Sequence, residues 1–358
     1  MKKIKTLVYI GRFQPFHNAH LQTIEMASKL TEQLIVIIGS DNAPRTTKNP
    51  FSTHERKSMI FNSIKESNDI DFDCDIIIES CEDFVYDDSI WVSNITSIVE
   101  KFAQDKIGII GHSKDDSSFY LDLFPEWELY PVERLSDINA TDIRNEFLDI
   151  RNIRIYQGLN YLVDKTDSFI RDNVPNAVYE AIKYFVNGKN QRISFTHYET
   201  LYNEFIYIEN HNGWELDFLE NQPFFVMAHC FIKSNNKILL NKRSHTFGNG
   251  LLELPGNYIN PKLDKSITYS SIRALKDLLQ LDSIVNIELA NNVEKIEVYD
   301  KIGRSQLGRH IAHVVHFKIE NPVIQTLYAK NTLVWIDIEN LDRKDFFEDH
   351  YDIIIKNI

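Results

Sequence analysis

Short apolar runs alternate with amphipathic segments in the first part of the chain. The apolar runs occupy residues 7–10, 34–38, 75–78 and 107–110. Segments with helical spacing of apolar residues lie between them, at 21–30, 55–67 and 91–103. Because β-branched runs separated by helices are typical of a parallel sheet covered on both faces, we predict an α/β domain. Such sheets bind ligands at the carboxyl ends of their strands, where the sequence has Gly11, Gly39 and Gly111.

The second half of the chain has a different pattern. Strand-like runs occupy residues 224–232, 238–240, 296–299, 310–319 and 333–336, and one helical segment occupies 267–279. Mostly antiparallel strands with few helices indicate a separate α+β domain. A helical segment at 174–186 closes the first domain, after which the patterning weakens. We therefore predict domains at 1–190 and 223–358, joined by a connecting segment at 191–222.

Length, charge and cysteine content exclude several classes of protein. A chain of 358 residues exceeds a comfortable single core, which agrees with two domains. The formal net charge of -13 repels a phosphate backbone, so we expect no nucleic-acid partner. The 3 cysteines lack metal-type spacing, and no apolar stretch approaches the length of a membrane span. We expect a cytoplasmic protein without a membrane partner, and we also expect a homo-oligomer.

The loop after the first apolar run carries the strongest motif, GRFQPFHNAH at residues 11–20. We expect Gly11 to supply unusual backbone dihedrals and a close approach to a ligand. His17 and His20 are three residues apart and therefore lie on the same side of the opening helical turn. With the N–H groups of that helix end, their ring donors would surround a phosphate. Taken alone, such a pair is more often an incidental surface or capping feature.

The complete decapeptide resembles the HxGH nucleotidyltransferase superfamily, and its GRFQPFH form is similar to the nicotinamide-mononucleotide (NMN) adenylyltransferase branch. The resemblance implies a Rossmann-like sheet and the reaction of ATP with NMN to give NAD and pyrophosphate, with Mg²⁺ accompanying ATP. Ala19 stands where the family has glycine, and its methyl group adds bulk near the nucleotide.

Further stretches resemble the same branch, in the same order along the chain. They are GSD at 39–41, RTTKNPF at 45–51, ER at 55–56, GHSKD at 111–115 and NATDIR at 139–144. Thr141 and Arg144 match the superfamily's ISSTxxR motif. Asn139 and Ala140 replace its two serines. The order of these stretches and their placement at strand ends make the set persuasive, although each alone has an ordinary structural explanation.

The resemblance also implies roles for individual residues. His17, His20 and Arg144 would be catalytic, with the Arg144 guanidinium pairing with the β- or γ-phosphate. Substrate contacts are implied for Gly11, Arg12, Phe13, Gln14, Ser40, Arg45, Asn49, Arg56, Asp87, Trp91, His112, Lys114 and Thr141. No residue is assigned as a metal ligand.

The acceptor needs a platform for its ring. Residues 83–91 are rich in aromatic and acidic side chains, and the resemblance places Trp91 against the nicotinamide ring. A flat cationic ring on an indole is favourable, whereas an ordinary core tryptophan is the alternative. Nicotinate mononucleotide and a pantetheine phosphate remain alternative acceptors.

The second domain contains an altered Nudix box. LPGN at 254–257, followed by a helix with Arg273, resembles that box, whose clustered carboxylates hold Mg²⁺ and activate water. Positions that carry glycine or glutamate in the family hold other residues here: Asn257, Lys265, Ala274, Leu278 and Gln280. Asp277 is the one carboxylate of the cluster that remains, and it could merely pair with Arg273 at i, i+4.

The segments 303–305, 308–309 and 347–351 resemble the ADP-ribose type of Nudix domain. Together, the two halves resemble the bifunctional NMN adenylyltransferase/Nudix hydrolase family. The expected pocket residues are Arg273, Asp277, Arg304 and Arg309, and the pocket could accept an adenine nucleotide. We expect the hydrolase activity to be lost, which leaves a binding or assembly module. The alternative is an active hydrolase whose metal site is rebuilt from other acids, such as Glu253, Asp264 or Glu348.

Overall fold

The computed structural model of the chain contains two compact units. It describes residues 4–103, 106–111, 121, 123–132, 138–156, 159–187, 192–212, 224–279, 289–318 and 332–358. The units are Met1–Phe205 and Ile206–Ile358. The division falls within helix α7 (Arg192–Asn212), which occupies most of the predicted connecting segment. No described helix is both long and apolar enough to cross a membrane.

A parallel sheet forms the centre of the N-terminal unit. Its strands are β1 (Ile4–Gly11), β2 (Thr31–Ile38), β3 (Asp75–Ser80), β4 (Ile107–Gly111) and β5 (Glu128–Pro131). Their order is β3-β2-β1-β4-β5, and each neighbouring pair is parallel. The first four strands contain the four predicted apolar runs, and the predicted α/β class is confirmed. All carboxyl ends therefore lie at one edge, with β1 in the middle.

Helices cover both faces of this sheet. They are α1 (Asn18–Leu30), α2 (Thr53–Glu66), α3 (Asp88–Glu100), α4 (Ala140–Leu148), α5 (Asp164–Asn173) and α6 (Asn176–Asn187). Leu7 and Tyr9 of β1 pack in one apolar cluster with α1 and α2, whereas Val8 and Ile10 pack in another with α3. Successive strand residues point to opposite faces, so an unbroken apolar run fills two cores. A short antiparallel hairpin, β6 (Ile153–Tyr156) and β7 (Leu159–Leu162), precedes α5.

The C-terminal unit is an α+β fold built on a mixed sheet. Its described strands are β8 (Phe225–Ser234), β9 (Lys237–Lys242), β10 (Leu252–Glu253), β11 (Gly256–Tyr258), β12 (Val293–Tyr299), β13 (His310–Lys318) and β14 (Leu333–Asp337). The helices are α8 (Ile267–Leu279) and α9 (His350–Asn357). β13 pairs with β8 in parallel, and the remaining pairs are antiparallel. α8 packs against this sheet through Ile272 and Leu275.

Gly11 ends β1 for a steric reason that differs from the expectation. Its φ is not positive, so unusual dihedrals do not explain the glycine. A Cβ at this position would lie 2.7 Å from the Phe13 ring, closer than packed atoms allow. At Gly39, by contrast, a Cβ would make ordinary contact, 3.7 Å from Cγ of Arg12.

We predict that Gly11→Ala lowers the free energy of unfolding by about 1–3 kcal/mol, because the methyl group overpacks the Phe13 ring. Gly39→Ala is the matched control and should be neutral or stabilising by up to about 1 kcal/mol. Urea unfolding of both variants measures the difference. Equal stability of the two variants would contradict the assigned role of the Phe13 ring.

Candidate active site

The loops after β1 and β2 each turn at a non-glycine residue in the left-handed region. Phe13 has φ 51° and Ser40 has φ 50°. Such a conformation costs about 1–2 kcal/mol for a residue with a Cβ, so its surroundings must stabilise it. The Phe13 ring packs edge-on against His20, with centroids 4.9 Å apart. Asp83 accepts hydrogen bonds from the N–H of Ser40 at 3.1 Å and from its Oγ at 2.5 Å.

Arg56 of α2 forms hydrogen bonds to the backbone of the same two loops. Its Nη1 donates to the carbonyl oxygens of Arg12 at 2.7 Å and Gly39 at 2.6 Å. Its Nη2 donates to the Ser40 carbonyl at 2.9 Å. Burial lowers the pKa of the Arg56 guanidinium to about 10, although nearby carboxylates raise it. The residue is 1% exposed. The structure therefore gives Arg56 main-chain partners, whereas the sequence analysis assigned it a substrate contact.

Arg144 of α4 is held against the first loop. Its Nη1 donates to the Gln14 carbonyl at 2.5 Å, and its Nη2 donates to Oγ1 of Thr141 at 2.8 Å. The Thr141 hydroxyl thus orients Arg144. Burial lowers the pKa of Arg144 to about 10, and the nearby positive charge of Arg12 adds to this effect. The exposed Arg12 also lies close enough to Arg56 to lower its pKa. The three guanidinium groups concentrate positive charge where a triphosphate would bind.

The two histidines of the motif lie together at the start of α1. His17 occupies the N-cap position, and its backbone N–H donates to Nδ1 of His20 at 3.2 Å. The two rings stack with centroids 3.6 Å apart. An Nδ1 that accepts a hydrogen bond places the proton of a neutral ring on Nε2, so Nε2 of His20 is a donor. A donor beside a helix N-terminus suits an anionic ligand.

The loop at 45–51 is tied to the first loop by Gln14. The Gln14 amide donates to the Phe51 carbonyl at 2.8 Å and accepts from the Phe51 N–H at 3.1 Å. Arg45 donates to the Pro50 carbonyl at 2.6 Å and pairs with Glu55 at 2.8 Å. Gln14 and Arg45 therefore shape this loop. Within the part of the chain that the structure describes, the buried Oδ1 of Asn49 has no hydrogen-bond donor, so it can accept one from a ligand.

Trp91 lies on α3 and is partly exposed. Its ring packs at 5.8 Å from that of Phe124, which stacks on Trp127 at 4.3 Å. Asp87 caps α3, since its Oδ1 accepts from the Ile90 N–H at 3.1 Å. Asp87 thereby fixes the first turn of the helix that carries Trp91. The predicted residues His112 and Lys114 lie outside the described residues.

Two acidic residues that contribute to the site, Asp41 and Asp83, were not identified as site residues from the sequence. Asp83 holds Ser40, and Asp41 accepts from Oγ of Ser80 at 2.7 Å. Both carboxylates act on Arg56 through their charge. Their position directly after the carboxyl ends of β2 and β3 was the available signal.

In the C-terminal unit, each arginine of the predicted pocket has an acidic or main-chain partner. Arg273 binds Asp264 through two hydrogen bonds of 2.6 Å. Arg304 binds Asp349 at 2.9 and 2.8 Å. Arg309 donates to the Asp300 carbonyl. Asp277 lies on α8, and its side chain is outside the described atoms.

The acids suggested for a rebuilt metal site have other partners. Glu253 pairs with Arg243 and accepts from Asn241, and Asp264 is bound by Arg273. Glu348 has φ 46°, and enclosure of its carboxyl group raises the pKa to about 7. Among the described residues, no group of three or more His, Cys, Asp or Glu side chains is placed to hold a metal ion.

Fold and site together define a nucleotidyltransferase, with cationic loops at the carboxyl edge of a Rossmann-like sheet. A family model described as cytidylyltransferase-like matches residues 8–146. A nicotinamide/nicotinic acid mononucleotide adenylyltransferase of Acinetobacter baylyi is 39% identical over 152 residues, which cover 42% of this chain and 78% of the relative. A nicotinamide-nucleotide adenylyltransferase of Thermococcus kodakarensis is 29% identical over 146 residues, covering 41% of this chain and 74% of the relative. The chain belongs to the family of nicotinamide/nicotinic acid mononucleotide adenylyltransferases.

The similarity extends over both units in a solved structure. A bifunctional NMN adenylyltransferase/ADP ribose pyrophosphatase of Francisella tularensis, crystallised with AMP and a manganese ion, matches with a TM-score of 0.80 and 28% identity. The match covers 98% of each chain. The predicted resemblance to the bifunctional family is therefore confirmed.

We predict that His20→Ala lowers kcat by about 10²- to 10³-fold, because a donor to the developing charge is lost. KM for the acceptor should change much less than kcat. His54→Ala removes an exposed histidine of α2 and is the matched control. Steady-state kinetics measure both variants, and near-normal turnover of His20→Ala would show that this ring takes no part in catalysis.

Proposed function

We propose that the N-terminal unit transfers the adenylyl group of ATP, bound as its magnesium complex, to NMN. A phosphate oxygen of NMN attacks the α-phosphorus of ATP, and the bond from that phosphorus to the β-phosphate oxygen breaks. The products are NAD and pyrophosphate. The observation that carries this proposal is the placement of Arg12, Arg144 and His20 beside two tightly held loops at one sheet edge.

The reaction requires alignment and charge stabilisation rather than a covalent group on the enzyme. Arg144, oriented by Thr141 and the Gln14 carbonyl, retains donors beyond the two that these contacts use, because a guanidinium has five. Nε2 of His20 supplies a further donor for charge that develops on the phosphates. The magnesium ion arrives with ATP and neutralises part of the phosphate charge.

The acceptor proposed is the amide NMN rather than nicotinate mononucleotide. Burial is the main cause that raises the pKa of Cys81 to about 12, and the charges of Asp83, Glu82 and Asp41 add to it, so three carboxylates lie near the end of β3. Trp91 packs against the same apolar cluster as Cys81. A negative potential favours the pyridinium ring and opposes the additional carboxylate of nicotinate mononucleotide.

An acceptor panel tests this function directly. Purified protein is incubated with MgATP and, separately, with NMN, nicotinate mononucleotide and pantetheine phosphate, and product formation is followed by chromatography. We expect NAD from NMN with the highest kcat/KM of the three. A higher kcat/KM for nicotinate mononucleotide would contradict the proposed acceptor, and no product from any acceptor would contradict adenylyl transfer.

We predict that Trp91→Ala raises the Kd for NMN about 5- to 30-fold, a loss of about 1–2 kcal/mol of cation–π contact, and leaves ATP binding nearly unchanged. Trp127→Ala is the matched control, because it removes an indole from the same cluster. Calorimetry with each ligand separately measures the effect. If Trp91→Ala weakens the binding of both ligands equally, Trp91 serves only the core.

For the C-terminal unit, we propose binding of an adenine nucleotide, or a role in assembly, without hydrolysis. Nudix chemistry needs several carboxylates that converge on divalent ions. Here Ala274 and Leu278 replace two of them, and Glu253 and Asp264 are paired with arginines.

We predict no meaningful hydrolysis of ADP-ribose. Incubation with Mg²⁺ or Mn²⁺, followed by detection of AMP, measures it. The metal-free incubation is the control. Robust AMP formation that disappears in Asp277→Asn or Glu348→Gln would show that the metal site has been rebuilt.

A further inference from the structure

The environment of Arg56 does not fit a residue that contacts substrate. The residue is 1% exposed, and its two Nη atoms already donate to three carbonyl oxygens and to Oγ1 of Thr53 at 3.0 Å. A nucleotide could reach the two Nη atoms only by displacing those bonds, and Nε, which has no hydrogen-bond partner among the described residues, is buried. We propose that Arg56 is a positioning residue of adenylyl transfer, which places Arg12 by holding the backbone of the loops after β1 and β2. This inference rests on the function proposed above.

The carbonyls that Arg56 holds are those that set the two left-handed turns. The Arg12 carbonyl belongs to the peptide plane that enters Phe13, and the Gly39 carbonyl belongs to the plane that enters Ser40. Fixing those planes opposes relaxation of the turns toward ordinary dihedrals. One guanidinium thus stabilises both strained residues at once.

The opposite sides of both turns are held by other groups. After Phe13, the Gln14 carbonyl accepts from Arg144. At Ser40, Asp83 accepts from the N–H and from Oγ. Each turn is therefore held on both sides by hydrogen bonds, and Arg56 contributes such bonds at both turns. Removing it would free Arg12 to move relative to Arg144, although no ligand contact is lost.

Geometry also explains why this position requires arginine. The planar fork lets Nη1 donate to carbonyls of both loops while Nη2 donates to the Ser40 carbonyl and to Thr53, whereas a lysine ammonium is a single point. The hydrogen-bond partners of both Nη atoms are neutral oxygens, and the carboxylates of Asp41 and Asp83 act only at longer range. A lysine would keep the charge but would lose the bonds of the second nitrogen and the rigid geometry that fixes all of these contacts together.

The test is a double-mutant cycle of Arg12→Ala and Arg56→Lys, with kcat/KM for ATP as the readout. Misplacement by about 1 Å costs about 10²-fold in rate, so we expect Arg56→Lys to lose about that factor. Because Arg56 acts through Arg12, adding Arg56→Lys to Arg12→Ala should cost less than about threefold further. The control Arg171→Lys changes an exposed ion pair of α5 and should retain wild-type kcat/KM.

A milder variant keeps the test possible if Arg56→Lys does not fold. If circular dichroism shows Arg56→Lys unfolded at the assay temperature, Thr53→Val replaces it, since this nearly isosteric change removes one acceptor of Nη2 together with the hydrogen bond from Thr53 to Asp41. We expect a several-fold loss in kcat/KM that again vanishes in the Arg12→Ala background.

The possible results separate the inference from the function. Losses that multiply in the double variant, or wild-type kcat/KM in Arg56→Lys, would overturn the positioning role while adenylyl transfer stands. Wild-type protein that makes no NAD from ATP and NMN would overturn the function and this inference together.

Discussion

A buried guanidinium that joins the ends of two adjacent parallel strands is the contact on which the N-terminal site depends. Burying a charge is costly unless it is hydrogen-bonded, and Arg56 meets that condition with carbonyls of Arg12, Gly39 and Ser40. The same bonds satisfy carbonyl groups that have left the strand ladder. Two left-handed turns, at Phe13 and Ser40, persist beside it.

An acidic protein with a net charge of -13 can bind a triphosphate because its charges are spatially sorted. The carboxylates nearest the loops accept hydrogen bonds from serines: Asp83 from Ser40 and Asp41 from Ser80. Their charge stabilises Arg56, whereas Arg12 lies in the loop after β1 and Arg144 of α4 donates to the Gln14 carbonyl of that same loop. The local arrangement of charges, not the net charge of the chain, determines the electrostatic potential that a phosphate meets.

Sequence patterns predicted the parallel sheet because its strands are buried on both faces and therefore read as unbroken apolar runs, as residues 34–38 do. Helix α7 escaped prediction because the segment that forms it has weak apolar periodicity.

The motifs identified the loops of the site, but not which of their side chains face inward. Gln14 and Arg56 were expected at the substrate, yet their partners are backbone atoms 37 and 44 residues away, respectively. Such distant pairings leave no local spacing signal. The same limit applies to the pairing of Arg273 with Asp264, which is nine residues away.

We propose that positioned cations and held loops transfer the adenylyl group directly between two phosphates, without an adenylylated residue. The stereochemical course at the α-phosphorus tests it most directly. ATP with a chiral phosphorothioate at the α-position is converted with NMN, and the configuration of the dinucleotide product is determined by ³¹P NMR. Direct in-line transfer inverts the configuration. Retention would require two displacements and a covalent intermediate on the protein, for which His17 or His20 would be the candidate, and it would contradict direct transfer.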